Sequence, residues 1–157
     1  MNIEKVAEIC ELLKMVLVEM PKHLDEDEKW RKGGWFCLIS EDGMILVYDP
    51  MGEVPSDKNE KYRSFSIEKA TRLWKHPEHT TSRQSRNEDL DHYSGAIRAR
   101  NHVFSFSGLP ELWDEALMLY IAWVCAPIVT EEVRIMTTPE IFALFERLQI
   151  THPSRSS

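Results

Sequence analysis

The sequence predicts one α+β domain, built as a single mostly antiparallel sheet of about four to five strands with helices packed on it. Three observations predict this fold. Apolar residues recur with helical spacing near both ends of the chain and at its centre. Two pairs of short apolar runs are each joined by a tight turn, and one helix-like segment connects the pairs. A chain of 157 residues fits a single domain, which we place over residues 1–150.

The first half of the chain predicts a helix, a hairpin and a second helix. Apolar residues recur every three or four positions in the first twenty residues, and Pro21 closes that helix. Gly43 permits the positive φ of a tight turn between two apolar runs. Ser66 is a candidate N-cap for the second helix. The predicted elements are the helix 3–20, the strands 35–40 and 44–49, a loop over 50–61 and the helix 66–74.

The second half predicts a long loop, another hairpin and two helices. The loop contains almost no apolar residues, so we expect it to be exposed and mobile. The helix after the hairpin is apolar on nearly every face beyond Glu115 and must be buried all round. Homo-oligomerisation is our favoured explanation of this excess, and coverage by the C-terminal helix is the alternative. The predicted elements are the loop 78–92, strands 95–98 and 102–107, helices 110–125 and 139–148, and a disordered tail over 151–157.

The composition excludes several classes of function. The net charge of −7 argues against partners such as nucleic acid or anionic membranes, which bind basic proteins. No apolar run approaches the ~20 residues that cross a bilayer, and the N-terminus lacks the features of a signal peptide. The three widely spaced cysteines, Cys10, Cys37 and Cys125, are typical of small buried hydrophobes rather than of a disulfide framework or a zinc site. We therefore expect a cytoplasmic protein with no membrane or nucleic-acid partner.

A basic segment lies at the centre of this acidic chain. Residues 61–100 contain nine lysines and arginines against five acids. Its local field can attract a small carboxylate or phosphate ligand, and Lys69 and Arg72 are the candidate ligand-binding residues. The alternative is a solvated helix face followed by a surface loop. His76 and His79 lie three residues apart and are candidates for binding a haem iron or a metal; surface histidines are the alternative.

The junction between the second hairpin and its helix is a second candidate site. Ser107 can cap the helix and Gly108 permits the backbone to turn. The N-terminus of a helix can hold an anion through its free N–H groups, although capping alone would explain the same residues. Glu115, one turn beyond the junction, is a candidate polar contact for a ligand or a partner.

Catalytic motifs are missing from the sequence. It contains no GxGxxG, no P-loop lysine motif and no GxSxG elbow. No nucleophile stands beside a base at a recognisable spacing, and Cys37 lies in an apolar strand that predicts a core position. The sequence therefore favours a protein that is not an enzyme.

Three segments carry a family resemblance. They are the hairpin FCLISEDGMILVYDPMGEVP, the helix SIEKATRLWKHPEHTTSRQS with its Lys69-Ala70 pair, and the hairpin-to-helix junction GAIRARNHVFSFSGLPELWDEALML. Their order and spacing resemble the GlcG/HbpS-like family of small haem- or corrinoid-associated proteins, which includes the C-terminal domain of PduO. The resemblance implies a profilin-like α/β sandwich and a haem or corrinoid ligand.

Two functions from different classes follow from these observations. The first is a small-molecule-binding module for haem, a corrinoid or a small anion. The second is a non-catalytic structural or protein-interaction domain that works as a homo-oligomer, with its apparent pocket filled by Phe104 and Phe106. The ligand-binding residues expected for the first are Lys69, Arg72, His76, His79, Ser107, Gly108 and Glu115.

Overall fold

A four-stranded antiparallel sheet forms the centre of the molecule. The structure is a computed structural model that describes residues 1–152, and the strands lie in the order β2-β1-β4-β3. The two hairpins join through their inner strands, so that Phe36 has Asp49 on one side and Phe106 on the other. This arrangement confirms the predicted α+β class. The strands are β1 (Lys32–Ile39), β2 (Ile45–Glu53), β3 (Ala96–Ala99) and β4 (His102–Ser107).

Helices cover both faces of the sheet. The helix α2 packs on one face, mainly against β1 and β4, while α1 and α3 pack on the other. The last helix, α5, lies against α3 on the side away from the sheet. The five α-helices of the described residues are α1 (Ile3–Glu19), α2 (Asn59–Trp74), α3 (Glu111–Cys125), α4 (Thr130–Met136) and α5 (Pro139–Thr151).

Alternation along the strands divides the core into two parts. In β1, Phe36 and Leu38 belong to the larger core beneath α1 and α3, whereas Cys37 joins the smaller core beneath α2. Phe104 and Phe106 of β4 are fully buried in the larger core. Their rings therefore pack under α3.

The apolar helix α3 is buried within the chain itself. Every residue from 113 to 122 is buried. The ring of Trp123 meets that of Phe145 on α5 edge to face at 5.9 Å between centroids. The C-terminal helix, our alternative explanation, thus provides the cover. Homo-oligomerisation is not needed to bury α3 and stays a prediction.

Helix α2 begins seven residues earlier than the sequence predicted. Ser66 is not an N-cap but a buried residue inside the helix, where its hydroxyl donates to the carbonyl of Arg63 at 3.0 Å. The predicted loop over 50–61 was also too long, because β2 continues to Glu53. Pro50 is tolerated in β2 because this strand lies at the edge of the sheet.

The segment 78–92 is anchored rather than an unattached loop. The N–H of Arg98 donates to the carbonyl of Thr80 at 2.8 Å, and Thr81 forms an isolated bridge with Ile97. The segment therefore covers the free edge of β3, and it contains two short 3₁₀ turns, Ser82–Ser85 and Glu88–Leu90. Most of the segment is exposed, as predicted, and its polarity gave no sign of these backbone contacts.

The remaining differences lie toward the C-terminus. The short helix α4 was not predicted. Helix α5 extends to Thr151, and the N–H of His152 donates to the carbonyl of Leu148 at 2.8 Å, so residues 151 and 152 do not belong to a disordered tail. The rest of that predicted tail, 153–157, lies outside the described residues.

Candidate functional site

A pocket of about 200 Å³ opens at one end of the sheet, between the first turns of α2 and the start of α3. We call it the α2–α3 pocket. Its α2 side consists of side chains spaced by three or four residues, which places them on one face of the helix. The side chains on this side are Lys58, in the turn before the helix, and Lys61, Tyr62, Phe65 and Lys69 of the helix itself.

Tight backbone packing forms the sheet side of the pocket. A Cβ on Gly108 would overlap the carbonyl of Gly33 and the Cα of Gly34, and a Cβ on Gly34 would overlap the carbonyl of Ser107. Glycine at these positions lets the junction after β4 lie directly on β1. Ser107 and Gly108 therefore line the pocket mainly as packed backbone.

The start of α3 is capped differently from the prediction. Pro110, not Ser107, occupies the N-cap position, and it offers no side-chain cap. Instead, the carboxylate of Asp114 reaches back and accepts the N–H of Leu109 at 2.9 Å. The Asp114 carboxylate, in the wall of the pocket, thus provides a hydrogen-bond acceptor for a backbone N–H that precedes the helix.

A buried ion pair forms the floor of the pocket. The Nζ of Lys69 donates to the carbonyl of Phe106 at 2.7 Å and to Oδ2 of Asp114 at 3.2 Å. Lys69 is 2% exposed and Asp114 3%. Burial raises the pKa of Asp114 to about 6, although the ammonium of Lys69 acts to lower it. Asp114 therefore changes charge close to neutral pH.

Gly95 makes room for this pair. A Cβ at Gly95 would lie against the ammonium of Lys69 and the Cβ of Asp114. The residue also has a φ of +127°, which side-chain-bearing residues rarely adopt. The two charged side chains thus occupy space that only a glycine leaves open.

Two other charges around the pocket are neutralised by neighbours. The Nε of Arg31 lies 2.6 Å from the carboxylate of Glu28. The carboxylate of Glu111 accepts from Arg86 at 2.6 and 3.0 Å and from the N–H of Ser94 at 2.9 Å. These pairs and the Lys69–Asp114 pair leave no net charge.

Lys58 and Lys61 supply the excess positive charge. Within residues 1–152, neither ammonium has a carboxylate at salt-bridge distance. Each lies over an aromatic ring instead: Lys58 is 5.3 Å from the centroid of Trp30 and Lys61 is 6.0 Å from that of Phe65. The mouth of the pocket therefore carries two cations that no acid within residues 1–152 neutralises.

The structure brings three of the seven predicted ligand-binding residues together. Lys69, Ser107 and Gly108 all line the α2–α3 pocket. The other four do not line it.

Arg72 is a cross-link between α2 and the segment after it. It is 7% exposed, and its guanidinium donates to the carbonyls of Ser82 at 2.8 Å and Tyr93 at 2.6 Å. It also forms an ion pair with Glu68 one turn earlier, at 2.8 Å. These bonds use its donors for the fold.

His76 and His79 lie at the opposite end of α2. Their rings stack with centroids 5.0 Å apart, and Nδ1 of His76 lies 2.7 Å from the carbonyl of Arg72. Among residues 1–152, no group of three His, Cys, Asp or Glu side chains is placed to hold a metal ion.

Glu115 lies behind the pocket wall. It is fully buried, and its carboxylate accepts the hydroxyl of Thr137 at 2.5 Å. The Nε of Arg83 is 3.6 Å away. Burial raises the pKa of Glu115. This residue ties α3 to the connection between α4 and α5.

Most of the α2 side of the pocket was not predicted from the sequence. Once α2 begins at Asn59, the spacing of Lys61, Phe65 and Lys69 is a visible signal. That signal disappears when the helix is started at Ser66. Arg31, Tyr93 and Asp114 come from other parts of the chain and had no sequence signal of their own.

Comparisons of the chain with protein-family models, with curated proteins and with solved structures found no match. The GlcG/HbpS-like resemblance therefore stays a prediction. In the part of the chain that the structure describes, no helix is long and apolar enough to cross a membrane. The described residues form an α+β domain with a cationic cavity at one end of its sheet.

Proposed function

We propose that this chain is a binding module for a small anionic ligand, held in the α2–α3 pocket. The observation that carries the proposal is the pair of lysines at the pocket mouth, Lys58 and Lys61. Among residues 1–152 they have no acidic partner, while the charges beside them are neutralised. A carboxylate or phosphate placed there would gain charge-assisted hydrogen bonds.

The position of the lysines supports this proposal over simple surface charge. The chain as a whole has a net charge of −7, so a positive cavity runs against its average. Local positive potential in a concave site concentrates anions from solution. The aromatic rings beneath both ammonium groups also limit where these cations can move.

The residues of the pocket do not fit haem or a corrinoid. Pockets for drug-sized ligands measure roughly 300–1,000 Å³, whereas this one measures about 200 Å³. Its lining contains no histidine, cysteine or methionine, and its two tyrosines, Tyr62 and Tyr93, lie in a cavity too small for a macrocycle. A small organic anion fits both the size and the charge.

The test compares an anion with a cation of the same shape. We expect benzoate to shift the amide NMR signals of pocket residues in a saturable way, and benzylamine to leave them unchanged. A Lys58→Gln/Lys61→Gln variant should bind benzoate about tenfold more weakly, because two charge-assisted contacts are lost. The matched control is Lys5→Gln/Lys14→Gln, which removes the same charge from α1 and should bind like the parent protein.

Two results would overturn the proposal. One is equal binding of benzylamine and benzoate. The other is benzoate affinity that does not change in the Lys58→Gln/Lys61→Gln variant.

Homo-oligomerisation is a separate proposal. Light scattering of the purified chain tests it directly, and a monomer at all concentrations would contradict it. That result would leave the proposed anion binding unaffected, because every lining residue of the pocket comes from one chain.

A further inference from the structure

We infer that the ligand of the α2–α3 pocket is a monocyclic aromatic acid with a hydrogen-bonding group on the ring, away from the acid. The inference rests on the proposed function, since the acid group is the one that Lys58 and Lys61 would receive. The inference adds the rest of the ligand, which is a flat ring carrying the acid group and a polar substituent.

The wall behind the lysines is aromatic. Phe65 and Tyr93 meet edge to face with their centroids 5.4 Å apart, and both line the pocket. Tyr62, on the same face of α2, lines it as well. Aromatic side chains arranged at an angle offer both a ring face and a ring edge to a planar guest, which favours an aromatic guest over an aliphatic one.

The volume of the pocket limits the guest to one ring. An apolar cavity of about 150 Å³ takes up benzene. The α2–α3 pocket, at about 200 Å³, has room for such a ring with small substituents. Fused ring systems would have to extend through the mouth, past Lys58 and Lys61.

The hydroxyl of Tyr62 is the observation that points to a polar substituent. Tyr62 lines the pocket, and its hydroxyl makes no hydrogen bond within residues 1–152 but stays accessible to solvent. A tyrosine hydroxyl without a protein partner takes water or a ligand as its hydrogen-bond partner. The hydroxyls of Tyr93 and Tyr48 have partners in the chain: they donate to Asp91 at 3.2 Å and to the carbonyl of Arg63 at 2.9 Å.

The chemistry of Tyr62 defines what it can recognise. Burial raises the pKa of its hydroxyl, so the group stays protonated at neutral pH and can both donate and accept a hydrogen bond. A phenolic or similar group on the ligand ring meets that requirement. The ligand would then replace water as the hydrogen-bond partner of this hydroxyl.

The ring is tested with two acids that differ only in planarity. We expect benzoate to bind about threefold or more tightly than cyclohexanecarboxylate in calorimetric or NMR titrations, because only benzoate can make aromatic contacts. In a Phe65→Leu variant this preference for benzoate should become smaller, because one of the three aromatic side chains of the wall is lost. Equal affinities in the parent protein would overturn the aromatic class.

The polar substituent is tested with 3- and 4-hydroxybenzoate. One of these should bind about fivefold more tightly than benzoate, as expected for one added hydrogen bond. Tyr62→Phe, which removes only the oxygen, should abolish this gain, and urea denaturation shows that the variant is folded. The matched control Tyr48→Phe removes a hydroxyl outside the pocket and should keep the gain.

The outcomes separate this inference from the proposed function. If neither hydroxybenzoate gains affinity, or if the gain survives in Tyr62→Phe, the assigned substituent is wrong while anion binding stands. If benzoate, cyclohexanecarboxylate, the two hydroxybenzoates and acetate all bind equally and still require Lys58 and Lys61, the ligand class is wrong and the proposed function stands. If no carboxylate binds, both fail.

Discussion

The ammonium of Lys69 and the carboxylate of Asp114 form an ion pair, 3.2 Å from Nζ to Oδ2, that is almost completely removed from solvent. The carbonyl of Phe106 and the N–H of Leu109 complete the hydrogen bonding of the pair. Such pairs gain little over an apolar replacement, because burying both charges costs nearly as much as their attraction returns. Removing one partner alone lowers the stability of the fold strongly, because the other charge is left buried and unpaired.

The first prediction concerns the loss of the cation. Lys69→Met should lower the free energy of unfolding at pH 8 by about 3–5 kcal/mol, because it leaves the Asp114 carboxylate buried and unpaired. The loss should be smaller at pH 5, where Asp114 is protonated. Urea denaturation at the two pH values measures both. Lys61→Met, the same change at an exposed position, should stay within about 0.5 kcal/mol of the parent protein.

The second prediction concerns pH. The pKa of Asp114 is raised in the folded state, from 3.8 to about 6, so the folded protein holds this proton more tightly than the unfolded chain does. Its stabilising contribution is therefore fully present below about pH 4 and is lost as the pH rises through 6. The loss amounts to up to about 3 kcal/mol.

Asp114→Asn isolates this contribution. The variant keeps an oxygen to accept the N–H of Leu109 and cannot ionise. The difference in unfolding free energy between the parent protein and this variant should fall as the pH rises from 4 to 7. Asp27→Asn, at an exposed acid, should show no such change. A difference that stays flat across this range would contradict the raised pKa.

The strand β4 and its turn could be predicted because their signals are local. The apolar alternation of 102–107 matches the observed strand end for end, and Arg100 and Asn101 adopt the positive φ of a tight turn. Each signal involves neighbours in the chain. The start of α2 failed for the opposite reason: Tyr62 and Phe65 line the pocket rather than the core, so the first turns lack a continuous apolar stripe.

The floor of the pocket could not be predicted from the sequence. Lys69 is buried because Gly95 leaves space beside it. Its ammonium also donates hydrogen bonds to Asp114 and to the carbonyl of Phe106. These partners lie 26 to 45 residues away along the chain. Nothing in the local pattern around Lys69 distinguishes it from an exposed lysine.

The third prediction concerns Arg72 and the segment 78–92. Arg72→Met should raise the rate of tryptic cleavage after Arg83 and Arg86 about tenfold or more, because its bonds to the carbonyls of Ser82 and Tyr93 hold this segment on α2. Arg72→Lys keeps the charge without the planar fork and should give an intermediate rate. Unchanged cleavage in both variants would show that the segment is held by its backbone bonds alone.

The last prediction links Asp114 to anion binding. Ionisation of Asp114 adds a negative charge to the floor of the pocket, where Lys69, the N–H of Leu109 and Arg31 oppose it. Benzenesulfonate, which stays anionic throughout, should therefore bind about fivefold more tightly at pH 5 than at pH 8, as expected for one screened charge. Calorimetric titration measures the two affinities. Asp114→Asn should bind equally at both pH values and about as tightly as the parent protein at pH 5. Retention of the full pH dependence in this variant would show that another group is responsible.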